Sequence, residues 1–546
     1  MFTYVHPYYM PKLWDAQVKA GLINDNAGVR FCQSIDIQEE LKFNNLAREN
    51  GELFDLLKNK KMPFYIDRLQ GGCYIEKYPY DKRLLQKYKD MLGELFWGFQ
   101  MHEWMSNYRS DLNKLQKFGC PAWDADSITK TIFKGYPFKH LFLEAMDAEE
   151  MASLGKPESY EDFLRHTEWL FRERQRYTDG LLIPCDSAYL SHSIELKNGA
   201  KRIMSEIGDQ TRNTRVQVAY ARGMSKAYGV PFGTYYEPWG GSPFSSCCYH
   251  KDGKNEWNIG EKDFPYKTNG ANGGSSRSLQ RRLHLYSYFS GASFMSEEWG
   301  LCNTFYDWED FELSPYGKIK LDFIRFTEKY SNVGTPVTPI AVVLPKELAV
   351  LEGLHKDEDT LTGFEIKAPL YNKVKAVREG IRKLFCTYDE HLGTEKPSLA
   401  NCKLPDALDI VNEDKFNEND YEYLVDLTSS PEFANKYAKR ICDIDDVAML
   451  LDKLLPCTFE GSAMKQLTKL SDSSYYLLLT NNSGVKRTVE EGEILLKEAD
   501  STVKVLPKEP FSLSMLEGTA EMSRADDGTY TVNIGAGGWF LGRLTK

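Results

Sequence analysis

The sequence predicts an α/β protein with three domains: a (β/α)8 TIM barrel, a small flavodoxin-like α/β domain and a C-terminal antiparallel β domain. Short apolar strands alternate with longer amphipathic segments over the first 335 residues, which is the pattern of βα units. Two prolines in Gly334–Pro339 interrupt this pattern, and a fresh strand follows. Nearer the C-terminus, short strands separated by turn residues replace the alternation. The predicted domains are therefore residues 1–335, 336–456 and 457–546.

Eight strands account for the predicted barrel, and amphipathic segments lie between them. The strands are expected near Val29–Ile37, Pro63–Arg68, Phe96–His102, His140–Ala145, Gly180–Asp186, Arg202–Glu206, Val230–Glu237 and Ala292–Glu298. One predicted helix covers Thr211–Tyr228 and ends at Gly229, because glycine commonly terminates helices. The long segment Gly240–Ser275 is expected to line the mouth of the barrel. An open, doubly wound sheet is the alternative to a barrel.

The second domain is predicted to begin with the apolar strand Ile340–Leu344. Three further strands are expected at Lys383–Thr387, Ala407–Val411 and Tyr423–Leu427. Helical stretches such as Pro431–Ile441 alternate with these strands, which predicts a small α/β domain. In the third domain, segments such as SYYLLLTNNSG and GTYTVNIGAGGWFLGRL combine short strands with turn residues, which indicates an antiparallel sheet.

Composition and charge narrow the class of protein. The chain has 546 residues, with 68 basic and 79 acidic side chains, and its net charge of −11 argues against sequence-independent binding to nucleic acid. No apolar run reaches the roughly 18 residues needed to cross a bilayer, and the first residues lack the pattern of a secretory signal. The eleven cysteines show no framework spacing, so we expect reduced thiols. These features predict a cytoplasmic protein without nucleic-acid or membrane partners.

Sequence motifs for cofactors and metals are missing. The glycine-rich segments GAGGWFLG and NGANGGSS lack the spacing and the lysine of phosphate-binding loops. The nine histidines do not cluster as metal ligands do, and no G-x-S-x-G elbow is present. A nucleophilic thiol at Cys247-Cys248 is a weaker alternative, because no motif supplies a base. We therefore expect neither a cofactor nor a metal site.

Acidic residues stand at or just after the predicted strand ends, as in YIDRLQGG, GFQMHEW and FMSEEWG. They are Asp67, Glu103, Glu144, Asp186, Glu206, Glu237, Glu297 and Glu298. In a barrel, the carboxyl ends of the strands converge on one face, where active sites lie. Glycosidic cleavage needs one carboxyl to protonate the leaving oxygen and another to attack the anomeric carbon or activate water. Nearby aromatic rings would bind the sugar, so the pattern predicts a glycosidase with a carbohydrate substrate.

Glu206 and Glu298 are the first choice for the catalytic pair, because each ends an apolar strand and precedes a glycine by two residues. Glu237 and Glu297 are the alternates. Glu297 and Glu298 could act together only if both faced inward, whereas neighbouring residues of a strand normally alternate. The residues expected to bind substrate are Asp67, Arg68, His102, Glu103, Asp186, Tyr236, Trp239 and Trp299.

Two other functions fit the same pattern. The first is a carbohydrate-binding protein that keeps the barrel but lacks activity. The second is a metal-dependent sugar isomerase or lyase, because an oxygen-rich cation site leaves little trace in a sequence. Binding without turnover would identify the first alternative, and loss of activity in a chelator would identify the second.

The segments FYIDRLQGG, GFQMHEW, SEIG, YYEPWGG and SEEWG resemble a group of glycoside-hydrolase-like barrel proteins from bacteria. The order of the three domains resembles the β-galactosidases of glycoside hydrolase family 42. This resemblance implies a middle domain that serves trimerisation, which would make the protein a homo-oligomer. It also implies an Asn-Glu acid/base after strand four and a glutamate nucleophile after strand seven. By the strand count above these positions are Leu143-Glu144, where the Asn is missing, and Glu237.

Overall fold

The computed structural model describes residues 2–5, 11–31, 51–66, 82–135, 146–187, 190–208, 213–237, 276–297, 304–306, 310–352, 354, 358–389, 394–486 and 493–546. These residues fall into two compact units. The first unit contains the described residues up to Ser205, together with Ala349–Tyr371. The second contains those from Glu206 to Leu348, together with Asn372–Lys546.

One sheet contains eight strands, and their order in the sheet is the same as their order in the sequence. The strands are β1 (Phe2–Val5), β2 (Gly28–Phe31), β3 (Phe64–Ile66), β4 (Phe96–His102), β5 (Leu182–Asp186), β6 (Ile203–Gly208), β7 (Phe232–Glu237) and β8 (Phe294–Glu297). The neighbours pair in parallel from β1 through β6, and β7 pairs in parallel with β8. Parallel neighbours need a crossover between them, which explains the alternation of apolar strands and amphipathic helices in the sequence.

Among the described residues, seven of the eight strands of this sheet match predicted strands, and one was not predicted. The sheet begins with β1, which the sequence pattern did not reveal because FTYV is only four residues long and is followed closely by two prolines. The predicted strand His140–Ala145 lies outside the described residues. The strand that precedes Glu103 is therefore the fourth of the sheet, and Glu237 ends the seventh.

Helices connect the strands and continue through the second half of the chain. They are α1 (Pro11–Ala20), α2 (Gly51–Asn59), α3 (Lys82–Leu92), α4 (Trp104–Phe118), α5 (Ala125–Gly135), α6 (Ala148–Leu154), α7 (Tyr160–Tyr177), α8 (His192–Lys197), α9 (Thr214–Tyr228), α10 (Arg277–Phe289), α11 (Pro315–Lys329), α12 (Leu370–Phe385), α13 (Pro431–Tyr437) and α14 (Val447–Leu454). Gly229 ends α9 with φ 67°, as predicted. Among the described residues, no helix is both long enough and apolar enough to span a bilayer.

A three-stranded parallel sheet in the second unit follows the proline break. Its order is β15 (Leu408–Asn412), β10 (Ile340–Leu344) and β16 (Tyr423–Asp426). The prediction of a strand at Lys383–Thr387 was wrong for most of that range, because α12 extends to Phe385. The apolar residues of α12 recur at helical spacing and are buried: Val374, Val377, Ile381 and Leu384.

Antiparallel sheets make up the C-terminal part of the second unit, as the sequence predicted. One has the order β17 (Cys457–Glu460), β22 (Ser501–Pro507), β25 (Tyr530–Ile534) and β24 (Glu521–Arg524). The other has the order β23 (Ser512–Gly518), β26 (Trp539–Thr545), β19 (Tyr475–Thr480), β18 (Met464–Lys469) and β9 (Thr335–Pro336). The segment Gly334–Pro339, where the sequence predicts a domain boundary, therefore contributes an edge strand to this sheet. Short antiparallel pairs account for the other strands of the described residues: β11 (Thr360–Leu361) with β12 (Phe364–Glu365), β13 (Thr387–Asp389) with β14 (Thr394–Lys396), and β20 (Val485–Lys486) with β21 (Ile494–Leu495).

Candidate functional site

In the first unit, Glu103 is a partly exposed carboxylate directly after β4. It has a left-handed backbone conformation, with φ 45°, and 34% of its side chain is exposed. Its N–H donates to the carbonyl of Cys185 (2.6 Å), and Ser187 Oγ donates to its Oε1 (3.2 Å). His102 Nε2 lies 3.6 Å from the other carboxylate oxygen. The end of β4 thus presents a partly exposed acid near a buried imidazole.

Asp186 ends β5 and has a different role from the one predicted. It is 1% exposed, and both of its oxygens accept hydrogen bonds from the start of α4. Oδ2 accepts from the N–H groups of Met105 (3.2 Å) and Ser106 (3.3 Å), and Oδ1 accepts from Ser106 Oγ (2.7 Å). A carboxylate at this position satisfies unpaired donors of the helix and interacts favourably with its dipole. Asp186 therefore fixes the beginning of the helix that follows Glu103.

A second buried carboxylate of the first unit, Glu195 on α8, was not identified from the sequence. Its Oε1 accepts from Trp104 Nε1 (3.0 Å) and Ser191 Oγ (2.6 Å), and its Oε2 lies 2.7 Å from His192 Nδ1. The other ring nitrogen of His192 lies 3.1 Å from Ser205 Oγ. All five side chains are at most 1% exposed. The segment HSIELK carries no strand-end signal, and Trp104 is 91 positions away in the chain, so only the fold reveals this cluster.

In the second unit, Glu206 and Glu237 lie on the same face of the sheet. Glu206 is 2% exposed and belongs to β6, as does Gly208 two residues later, so both point to one face. Gly208 lies against Glu237 of β7: a Cβ added to this glycine would be 2.9 Å from Glu237 Cβ and 2.6 Å from its carbonyl oxygen. Glu206 and Glu237 therefore lie on the same face of consecutive strands, and Glu206 is two residues before the position that faces Glu237.

Glu297, at the end of β8, is held by two helices. Its Oε2 lies 2.5 Å from Lys320 Nζ of α11, and its Oε1 lies 3.1 Å from His284 Nε2 of α10. Burial raises the pKa of Glu297, but the charge of Lys320 and the hydrogen bond from His284 outweigh burial and hold that pKa below its usual value. Lys320 also donates to Thr304 Oγ1 (2.8 Å). Glu297 is therefore an ionised, buried partner of the helices.

Tyr236, which was expected to bind sugar, also faces α10. Its ring meets the ring of His284 edge-on, with centroids 5.5 Å apart, and the residue is fully buried. This packing leaves no exposed ring face for a sugar. The remaining predicted site residues lie outside the described residues: Asp67, Arg68, Glu144, Trp239, Glu298 and Trp299.

Imidazole and carboxylate groups can bind a cation. In the His284–Glu297 and His192–Glu195 pairs, these groups interact with protein partners instead. His284 and Glu297 interact with each other, and Lys320 supplies the positive charge beside that carboxylate. His192 and Glu195 are likewise paired.

Among known proteins, only solved structures show a similarity to this chain. No family model and no curated protein matches the chain. A family 98 glycoside hydrolase catalytic module from Streptococcus pneumoniae TIGR4 aligns over 100% of this chain and 98% of its own, with TM-score 0.42 and 8% identity. A β-galactosidase from the haloarchaeon Halorubrum lacusprofundi aligns over 98% of each chain, with TM-score 0.46 and 11% identity. α-L-Fucosidase isoenzyme 2 from Paenibacillus thiaminolyticus aligns over 95% of this chain and 87% of its own, with TM-score 0.43 and 9% identity. All three are glycoside hydrolases, the class that the sequence resembles.

Proposed function

We propose that the protein is a glycosidase that cleaves a glycosidic bond of an oligosaccharide or glycoside with a pair of carboxylates on a (β/α)8 barrel. The observation that carries this proposal is the placement of Glu206 and Glu237 on one face of consecutive strands, with Gly208, two residues after Glu206, lying against Glu237. Each is a glutamate near the carboxyl end of its strand, the position that barrel enzymes use for chemistry.

The proposed pair is Glu206 and Glu298, as the sequence predicts from two acids that each follow an apolar strand and precede a glycine by two residues. Glu298 lies outside the described residues, so its role rests on the sequence alone. Glu237, at the end of β7, is the alternate on the same face as Glu206. Glu297 is less suited to the pair, because its carboxylate is held by Lys320 and His284.

A set of acids on adjacent strands suits this chemistry. Carboxylates that share a site cannot all be ionised easily, so one of them tends to keep a proton at neutral pH. The protonated group can donate to the leaving oxygen, while an ionised neighbour attacks the anomeric carbon or activates water. In the first unit, the partly exposed Glu103 and the adjacent His102 are proposed to contact sugar hydroxyls.

The test is a screen of the purified protein against aryl-glycosides and oligosaccharides, followed by variants assayed on any accepted substrate. Glu206→Gln and Glu298→Gln should each lower kcat by at least about a thousandfold, or ~4 kcal/mol, because a proton donor or nucleophile is lost. Glu94→Gln is the matched control, since this exposed glutamate lies in the turn before the start of β4. It should remain fully active.

Three outcomes would overturn parts of the proposal. Near wild-type rates in both glutamine variants would exclude the pair, and Glu237, at the end of strand seven, would be tested next. Sugar binding without turnover would indicate a binding protein. We expect EDTA to leave the activity unchanged, and its loss in EDTA would favour a metal-dependent isomerase or lyase.

A further inference from the structure

The buried cluster around Glu195 touches the chain directly beside two candidate acids. Trp104, whose indole N–H donates to Glu195, is the residue after Glu103. Ser205, whose hydroxyl bonds to His192, is the residue before Glu206. A single carboxylate on α8 therefore contacts the first residue of α4 directly and β6 through one imidazole.

The direction of the hydrogen bonds follows from the acceptor. Three donors, Trp104 Nε1, Ser191 Oγ and His192 Nδ1, point at the two oxygens of Glu195. Because a carboxylate oxygen only accepts, Nδ1 carries a hydrogen, and we assign Nε2 as the acceptor of the hydrogen bond from the Ser205 hydroxyl. Glu195 thus selects the tautomer of His192 and through it the orientation of Ser205.

The order Ser205–His192–Glu195 is also the order of a serine hydrolase triad, but the burial excludes that function. Each of the three side chains is at most 1% exposed, and the serine hydroxyl lies between the sheet and α8. A nucleophile must reach a substrate carbonyl, and this hydroxyl has no solvent access.

We infer that Glu195 and His192 are positioning residues that hold the backbone at Ser205, and hence the carboxyl of Glu206, in its reactive place. The effect on catalysis rests on the proposed function, whereas the effect on geometry does not. Since Ser205 and Glu206 are consecutive residues of one strand, fixing the first on the helix side fixes the direction of the second on the opposite face. The hydrogen bond from Trp104 to Glu195 likewise fixes the position of the turn that carries Glu103.

The experiment compares Ser205→Ala and Glu195→Gln with the wild type. Glu195→Gln keeps the volume but places an amide donor opposite Nδ1, so the tautomer reverses and Ser205 loses its acceptor. His166→Gln is the matched control: His166 is equally buried in the same unit and lies 2.6 Å from Tyr108 Oη, but neither residue adjoins a candidate acid.

We expect Ser205→Ala and Glu195→Gln to lower kcat by about 10- to 100-fold with KM nearly unchanged, because misplacement by a fraction of an ångström weakens the reacting geometry. Their pH–rate profiles should also differ from the wild type. His166→Gln should lose a similar amount of stability and keep the wild-type kcat and pH profile. If all three variants lose stability alike and keep kcat, the inference is overturned.

Crystal structures of Ser205→Ala and the wild type supply a readout that needs no activity. A displaced Glu206 carboxyl in the variant would support the inference even if the wild type hydrolysed no glycoside, an outcome that would remove the proposed function alone. An unchanged Glu206 would overturn the inference, whatever the activity.

Discussion

Two buried carboxylates, Glu195 in the first unit and Asp409 in the second, satisfy the same physical requirement in different ways. Glu195 accepts from an indole, a hydroxyl and an imidazole. Asp409 is fully buried on β15 and is paired with two cations of α9, with Arg222 Nε 2.5 Å and Lys226 Nζ 2.6 Å away. Both avoid the large cost of an unpaired buried charge, and the partners of Asp409 are two full positive charges.

The difference indicates what each cluster does. Burial raises the pKa of Asp409, but Lys226 and Arg222 outweigh burial and hold that pKa below its usual value. This carboxylate joins α9 to the three-stranded sheet. Tyr220 of the same helix also donates a hydrogen bond from its Oη to Asn412 Oδ1 (2.6 Å). Glu195 instead accepts directional hydrogen bonds, which lead to the residues next to Glu103 and Glu206. Ion pairs of Asp409 hold a helix against a sheet, whereas hydrogen bonds to Glu195 set the orientation of the side chains around it.

Truncation after residue 335 gives the largest effect expected from this comparison. It removes Asp409 and Asn412 and leaves Arg222, Lys226 and Tyr220 without these partners. We expect the 1–335 fragment to be insoluble or unfolded by circular dichroism, because two cations and an apolar helix face lose their cover. A soluble fragment with a cooperative thermal transition would show that α9 does not depend on the small sheet.

Asp409→Ala tests the charge pairing alone. Removing one partner of a buried ion pair leaves the other charges uncompensated, so the free energy of unfolding should fall by about 3–5 kcal/mol. Urea denaturation measures this, with Glu460→Ala as the control: its ion pair with Lys504 is highly exposed, so that change should cost at most about 1 kcal/mol. Equal effects of the two substitutions would contradict the structural role of Asp409.

Glu297→Gln should destabilise the protein by about 1.5–3 kcal/mol near neutral pH, since hydrogen bonds to a charged group are lost in a buried site. The pKa of Glu297 is lower in the folded state than its usual 4.5, so its stabilising contribution is present above pH 4.5 and is lost as the pH falls through the folded value. The stability difference between wild type and variant should therefore shrink on acidification below pH 4.5. A constant difference down to pH 2 would contradict the lowered pKa.

Much of the fold was accessible from the sequence because apolar strands and amphipathic helices differ in period. Lys383–Phe385 is helical because it continues the apolar repeat of α12, which lies before the predicted strand. The positions of acids such as Glu206, Glu237 and Glu297 near strand ends follow from the sequence pattern, whereas the partners of Glu297 do not. The Glu195 cluster could not be predicted, since its hydrogen bonds join residues of three separate segments and none carries a motif.

Gly208→Ala tests the arrangement on which the proposed function depends. The new Cβ would lie 2.6 Å from the carbonyl oxygen and 2.9 Å from the Cβ of Glu237. Neither atom can rotate away, so the end of β7 must shift, and we expect a loss of about 1–3 kcal/mol in stability. Gly535→Ala in the same unit is the control, because its nearest contact would be an ordinary 3.6 Å.

The activity of Gly208→Ala should fall by more than its stability explains when assayed well below its melting temperature, since Glu237 moves with the strand. If Gly208→Ala matches Gly535→Ala in both stability and kcat, Glu237 is not held against β6, and Glu206 and Glu237 cannot be treated as members of one site.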